Sequence, residues 1–159
     1  METGRTEKVS FSHHKIHTDI IINTAPEAVW AVLADTANYS SWAAFLVGIE
    51  GQIADGATIS VAFQLTPNKY KLTRINHTIT VVDGQEFYWA ERGPGGIRDN
   101  HHFKVEAAAD GKTRFVQSDE IIGGMTFLMG GRLAKLYLEG YQAFNRGLKA
   151  EAERRDNVG

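Results

Sequence analysis

Past the first fourteen residues, the apolar positions fall mostly into short alternating stretches and take up helical spacing near the start and at the end. Ile16, Ile20, Ile21 and Ile22 form a β-branched run that stops at Asn23-Thr24, just before Pro26. This reads as a strand followed by a helix start. Thr24 or Ala25 sits near the N-cap, Pro26 in the first turn, and Glu27 at the positive end of the helix dipole. Val29, Trp30, Val32 and Leu33 give that short helix its apolar face, and Tyr39 to Trp42 forms a second helical turn after a break at residues 35–38.

Strand signals then dominate. Phe45 to Glu50 is apolar and extended, and Ala57 to Leu65 alternates with Ile59, Val61, Phe63 and Leu65 on one side. After a turn at Thr66-Pro67-Asn68, Tyr70 to Val82 reads as one long strand with Ile75, His77, Ile79 and Val81 on one face. Asp83-Gly84 is a hairpin signal leading into Glu86 to Arg92, where Phe87 and Trp89 share a side. Gly93-Pro94-Gly95-Gly96 connects to Asn100–Ala108, and Asp110-Gly111 turns the chain into Thr113–Ile122. From Met125 to Glu153 there is no proline, and Leu133, Leu136, Tyr137, Phe144 and Leu148 fall at helical spacing, at steps of three, four or their sum. Strands joined by short turns and closed by a long helix predict an α+β domain with a curved antiparallel sheet of about seven strands. Gly140 and Gly147 lie on or beside the apolar stripe of that helix, so each implies close packing or space left for something. A sheet curved around one helix leaves a concave apolar space, the kind of place small molecules occupy.

Composition narrows the classes. The chain has 159 residues, 43% apolar and 23% charged, enough for one ordinary core. We expect an arm at residues 1–14, loose and polar, one domain over 15–154 and a tail at 155–159. A net charge of −2 offers no basic field for nucleic acid. The absence of cysteine removes disulfides, thiol nucleophiles and thiolate metal sites. No stretch approaches the ~18 apolar residues of a membrane span or the apolar core of a signal peptide, which makes a soluble cytoplasmic protein the expectation.

The segment Thr18–Trp42, with Phe87-Tyr88-Trp89, His101–Glu106, Thr113–Gly124 and Tyr141–Glu153, resembles the SRPBCC, or START-like, superfamily. Within it, the resemblance is to the bacterial polyketide cyclase/dehydrase and lipid-transport proteins. It implies the helix-grip fold: the curved sheet wraps the C-terminal helix, and two short helices follow the first strand. It also implies that the alternating faces His101-Phe103-Val105 and Phe115-Gln117-Asp119-Ile121 look into a cavity. Many relatives carry a glutamate where this chain has Asp119, whose shorter side chain reaches less far.

Three readings follow. In the first, the cavity binds a small hydrophobic molecule, lined by Trp89, Phe103, Phe115, Gln117, Phe63 and, from the helix, Leu136, Gly140 and Phe144. In the second, His101 and Asp119 move protons in a cyclase or dehydratase, because a histidine beside a carboxylate exchanges protons near neutral pH. The plain alternative is a hydrogen-bonded structural histidine. In the third, the outer surface is an interaction module resembling the heat-shock ATPase activators of the same superfamily. No metal or cofactor is expected. Neighbouring strand residues such as His101 and His102 point to opposite faces, and His13, His14 and His17 have no carboxylate at ligand spacing. Gly93–Gly96 lacks the Lys-Ser/Thr and helix of a phosphate loop, and could instead gate the cavity.

Overall fold

A computed structural model describes residues 1–65, 72–92 and 94–158. Its strands, among the described residues, are β1 (Glu2–Ser10), β2 (His13–Ile22), β3 (Leu46–Glu50), β4 (Thr58–Phe63), β5 (Thr73–Thr78), β6 (Thr80–Val82), β7 (Glu86–Arg92), β8 (Arg98–Ala107) and β9 (Thr113–Ile122). The helices are α1 (Pro26–Ala34), α2 (Tyr39–Trp42) and α3 (Thr126–Asp156). Short 3₁₀ turns occur at Thr36–Asn38, Pro94–Gly96 and Ala109–Gly111. Two antiparallel sheets carry the fold, one in the order β1-β2-β9-β8-β7-β6 and one in the order β3-β4-β5.

The sheets meet where the expected long strand ending at Val82 divides. Its first two residues, Tyr70 and Lys71, lie outside the described residues, as does the Thr66–Asn68 turn. At Ile79 the strand leaves its ladder: Ile79 N–H donates to Ala57 O and Ile79 O accepts from Gly56 N–H. β5 therefore pairs with β4, and β6 pairs with β7. This corner bends the wall around α3, giving the α+β helix-grip architecture.

The loose arm expected at residues 1–14 is corrected. Glu2 to Lys8 pairs with β2 in regular register from Glu2↔Ile20 to Lys8↔His14, and Ser10 faces His13 after a shift. Nearly every β1 residue is exposed, so no apolar alternation marked it. A free edge of β2 supplies the missing reason, since ladder hydrogen bonds are made by backbone alone, and a charged outermost strand discourages further pairing. Arg146 on α3 fastens the strand start by donating to Glu2 Oε2 at 3.0 Å.

Ile16, Ile20, Phe87, Phe103, Val105 and Phe115 from the sheet, with Tyr141, Phe144, Leu148 and Ala152 from α3, form one buried cluster. Three of the four glycines of α3 are points of close approach. A Cβ at Gly147 would overlap the carbonyl oxygen of Trp42, and one at Gly130 would overlap the ring of His14. At Gly140 it would overlap the ring of Phe45, so this glycine faces a close approach from another segment.

Candidate functional site

An apolar cavity of about 350 Å³ opens between the first half of α3, the ends of β8 and β9, and the edge of the smaller sheet. Leu65, Ile75, Ile97, Ile121, Met129 and Leu133 form its walls, with Met125, Gly95, Thr73, Tyr137 and Asp99 completing them. A small extension of about 30 Å³ runs inward from it, bounded by Phe63, His101, Tyr137 and Tyr141 and sharing Leu65, Ile75 and Asp99. The main volume is near the lower end of the ~300–1,000 Å³ typical of small-molecule pockets.

Strand alternation explains the inner polar residues. On β8, Asp99, His101 and Phe103 lie on one face, and on β9 Gln117, Asp119 and Ile121 do the same. His101 is buried, its Nε2 lying 2.9 Å from Gln117 Oε1. Gln117 Nε2 donates to Asn145 Oδ1 at 2.6 Å and to Tyr141 O at 3.3 Å, and Asn145 Nδ2 donates onward to Thr18 Oγ1 at 3.0 Å. Because the Gln117 amide nitrogen is committed as a donor, its oxygen must accept. His101 therefore carries its hydrogen on Nε2 and keeps a lone pair on Nδ1. Burial pushes the imidazole down to about 3, against the opposing pull of Gln117, so it is neutral across physiological pH.

Asp119 has other partners. Tyr141 Oη donates to its Oδ2 at 2.6 Å, and the Asn100 amide donates to its Oδ1 at 3.1 Å. The β8–β9 register runs through Arg98↔Ile122 and His102↔Ser118, and between these the carboxylate takes up a backbone N–H. Burial raises the Asp119 carboxyl to about 6 despite these two donors. Tyr141 is raised well above an ordinary phenol, by burial and then by the Asp119 charge. His101 and Asp119 are thus held in two separate hydrogen-bonded sets, with Tyr141 touching both: its ring centroid lies 4.4 Å from that of His101.

Asp99 adds a second inward carboxyl, on a half-buried residue. Trp89 Nε1 donates to its Oδ2 at 3.0 Å, while Oδ1 is buried with no hydrogen-bond partner among the described residues. Burial, and then the nearby Asp119 charge, raise this carboxyl to about 6. Tyr137 is raised by burial and then by the charges of Asp119 and Asp99.

The expected lining residues have different surroundings. Phe63 and His101 reach the small extension. Trp89, Phe103, Phe115 and Phe144 are wholly buried in an aromatic stack in which Phe87 and Phe103 lie 4.4 Å apart and Phe103 and Phe144 lie 6.0 Å apart. Gln117 is buried in the amide chain already described. Leu136 is corrected outright: at 38% exposure it points to solvent. Gly140 is covered by Phe45. Aromatic rings fill the wall beside the middle of α3, so the open space is displaced toward the helix start, where Met125, Met129 and Leu133 are. Asp99 escaped notice because the strand was expected to begin at Asn100, yet it continues the His101-Phe103-Val105 alternation by one step. Gly93 lies outside the described residues. Gly95 borders the cavity, and Gly124 is so close to the Gly95–Ile97 backbone that a Cβ would overlap it.

Two further histidines lie against carboxylates. His13 Nε2 lies 2.8 Å from Glu120 Oε2, and His102 Nδ1 lies 2.5 Å from Glu86 Oε1. Among the described residues no three His, Asp or Glu side chains converge to hold a metal ion, and no helix is long and apolar enough to cross a membrane.

Comparison with known structures gives the same architecture. The two-domain aromatase/cyclase StfQ of the steffimycin biosynthetic pathway superposes with a TM-score of 0.74 at 10% identity over 92% of this chain, which spans 53% of that protein. The aromatase/cyclase Zhui from Streptomyces sp. R1128 gives 0.69 at 14% identity, over 90% of this chain and 95% of that one. A START superfamily protein from Mycobacterium smegmatis gives 0.69 at 11% identity, over 88% and 97%. No curated protein matches the sequence. The family model described as polyketide cyclase / dehydrase and lipid transport matches residues 13–153. With that match spanning most of its length, the chain belongs to the polyketide cyclase/dehydrase and lipid-transport family.

Proposed function

We propose that this protein binds a small hydrophobic molecule, lipid-like or polyketide-like, in the cavity between the start of α3 and the curved wall. The observation that carries the reading is the lining itself. Leu65, Ile75, Ile97, Ile121, Met129 and Leu133 surround about 350 Å³ of space that the folded chain does not fill. Burying an apolar ligand there gains on the order of 25 cal/mol per Å² of surface removed from water. Two methionines at the opening suit ligands of variable outline, because an unbranched thioether side chain adapts its shape. The aromatase/cyclase and lipid-transport descriptions of similar proteins are consistent with such cargo. Native mass spectrometry of the purified protein, followed by organic extraction, tests this: a stoichiometric apolar adduct is expected, removed by Leu133→Trp. Protein that is ligand-free and takes up no hydrophobic molecule overturns it.

A second reading, acid/base catalysis of cyclisation or dehydration, draws on one observation: two inward carboxyls, Asp99 and Asp119, are both held at about 6. In that reading the proton moves through a carboxyl, with neutral His101 as an acceptor. Turnover of a bound polyketide, abolished by Asp119→Asn or His101→Ala, supports it; turnover retained in both variants excludes this pair.

A further inference from the structure

The cavity is apolar almost throughout, which makes its polar atoms informative. Asp99 borders both the main volume and the inner extension. One of its carboxyl oxygens is held by Trp89 Nε1, and the other is buried without a hydrogen-bond partner among the described residues. A buried acceptor left unpaired is costly, and most such atoms in folded proteins find a donor. The groups around this oxygen offer little relief. Trp89 is already used, Tyr141 gives its hydrogen to Asp119, and His101 gives its hydrogen to Gln117. No Lys or Arg occurs among the described residues lining the cavity or its extension. Among the described residues, the inner end therefore presents acceptors (Asp99 Oδ1 and the Nδ1 lone pair of His101) beside the Tyr137 hydroxyl, and no cation to meet an anionic group.

We propose that Asp99 is the anchoring acceptor of this cavity, and that its ligand is a hydrophobe whose leading end donates a hydrogen bond, such as a phenolic or alcoholic hydroxyl, and carries no carboxylate. This rests on the cavity being a ligand site and adds the chemistry of the end that enters first. A ligand hydroxyl reaching Oδ1 would satisfy the one open position of the carboxyl while its apolar body lay against Ile75, Ile97, Met129 and Leu133. A fatty acid entering head first would place its carboxylate against Asp99 with no cation to offset the repulsion.

Three probes of nearly equal size separate these cases: 2-naphthol, which donates; 2-methoxynaphthalene, which does not; and 2-naphthoate, which is anionic. Binding is read by titration calorimetry on the full-length protein and on Asp99→Leu and Asp99→Asn. The wild type is expected to hold 2-naphthol at least about tenfold more tightly than either of the others. Asp99→Leu should lose the preference for 2-naphthol over 2-methoxynaphthalene. Equal wild-type affinity for 2-naphthol and 2-methoxynaphthalene overturns the anchor while leaving the cavity reading intact, and this comparison needs no variant to fold. A preference for 2-naphthoate, or a naphthol preference that survives in Asp99→Leu, overturns it too. Binding of none of the three removes the cavity reading and the anchor together.

Discussion

The ring of Phe45 rests against the backbone of Gly140, in a notch that any side chain at that position would fill. Phe45 adopts a φ of 68°, a left-handed conformation that a phenylalanine rarely takes, and its ring meets Phe63, Tyr137 and Tyr141 edge-on at 5.7–5.9 Å between centroids. That backbone strain costs roughly 1–3 kcal/mol, which the packing of the ring into the helix offsets. Phe45 thereby joins the segment leading into the smaller sheet to α3, beside Tyr137 and Tyr141.

Gly140→Ala should therefore destabilise the protein by about 1–3 kcal/mol, although alanine is the better helix former by about 1 kcal/mol. Urea unfolding measures this. Combining it with Phe45→Ala should recover part of the loss, giving a coupling of at least about 0.5 kcal/mol in a double-mutant cycle. A stabilised Gly140→Ala would show that the notch does not hold the ring.

Stability should depend on pH with opposite slopes for His101 and Asp119. His101 is lowered to about 3 by burial, so between about pH 3 and its ordinary value near 6.5 the unfolded chain binds the extra proton. Its contribution is present above that window and lost as pH falls through it. Asp119 is raised to about 6, so between its ordinary value near 4 and about 6 the folded chain binds the extra proton, and stability falls as pH rises. The wild-type-minus-variant difference in unfolding free energy should climb with pH for His101→Gln and decline with pH for Asp119→Asn, each by a few kcal/mol. Slopes of the same sign would contradict the assignment of neutral histidine and near-neutral acid.

Tyr141→Phe removes the hydroxyl that donates to Asp119 Oδ2. Hydrogen bonding to the charged form favours it, so the carboxyl should titrate above its value of about 6 in this variant. The expected loss of stability at neutral pH is about 1–3 kcal/mol. Carbon-detected NMR of the Asp119 carboxyl follows the titration; an unchanged midpoint would remove Tyr141 from its environment.

Much of this fold was legible in the alternation of the chain. β7 and β9 begin and end where the pattern places them, α1 and α2 follow the first apolar strand, and α3 extends three residues beyond the expected Glu153. β1 was not legible, because its pairing rests on backbone hydrogen bonds and its side chains face water. The site was legible only in part. Alternation put His101, Gln117 and Asp119 on inward faces, but it could not show that Gln117 takes His101 while Tyr141 takes Asp119. Nor could spacing along α3 reveal where the helix stands off from the wall. That depends on Phe45 reaching Gly140 from a distant segment and on the aromatic stack of Phe87, Phe103 and Phe144 filling the interior beside it.

Filling the cavity should leave the fold intact. Leu133→Trp adds volume at a wall that already borders empty space, so the usual overpacking penalty of about 1–3 kcal/mol should largely be avoided. Thermal unfolding within a few degrees of wild type, with loss of hydrophobic-probe binding, is the expected pair of results. Loss of folding would show that this wall is already closely packed.

The most direct measurement of the central claim is methyl NMR on protein labelled at isoleucine, leucine and methionine, titrated with 2-naphthol. Ligand in the cavity should shift Ile75, Ile97, Met129 and Leu133 together, saturating at one equivalent, while Ile22 and Leu148, buried away from the cavity, stay fixed. No shifts at all, or shifts confined to exposed methyls such as Leu128 and Leu136, would contradict a ligand site between α3 and the curved wall.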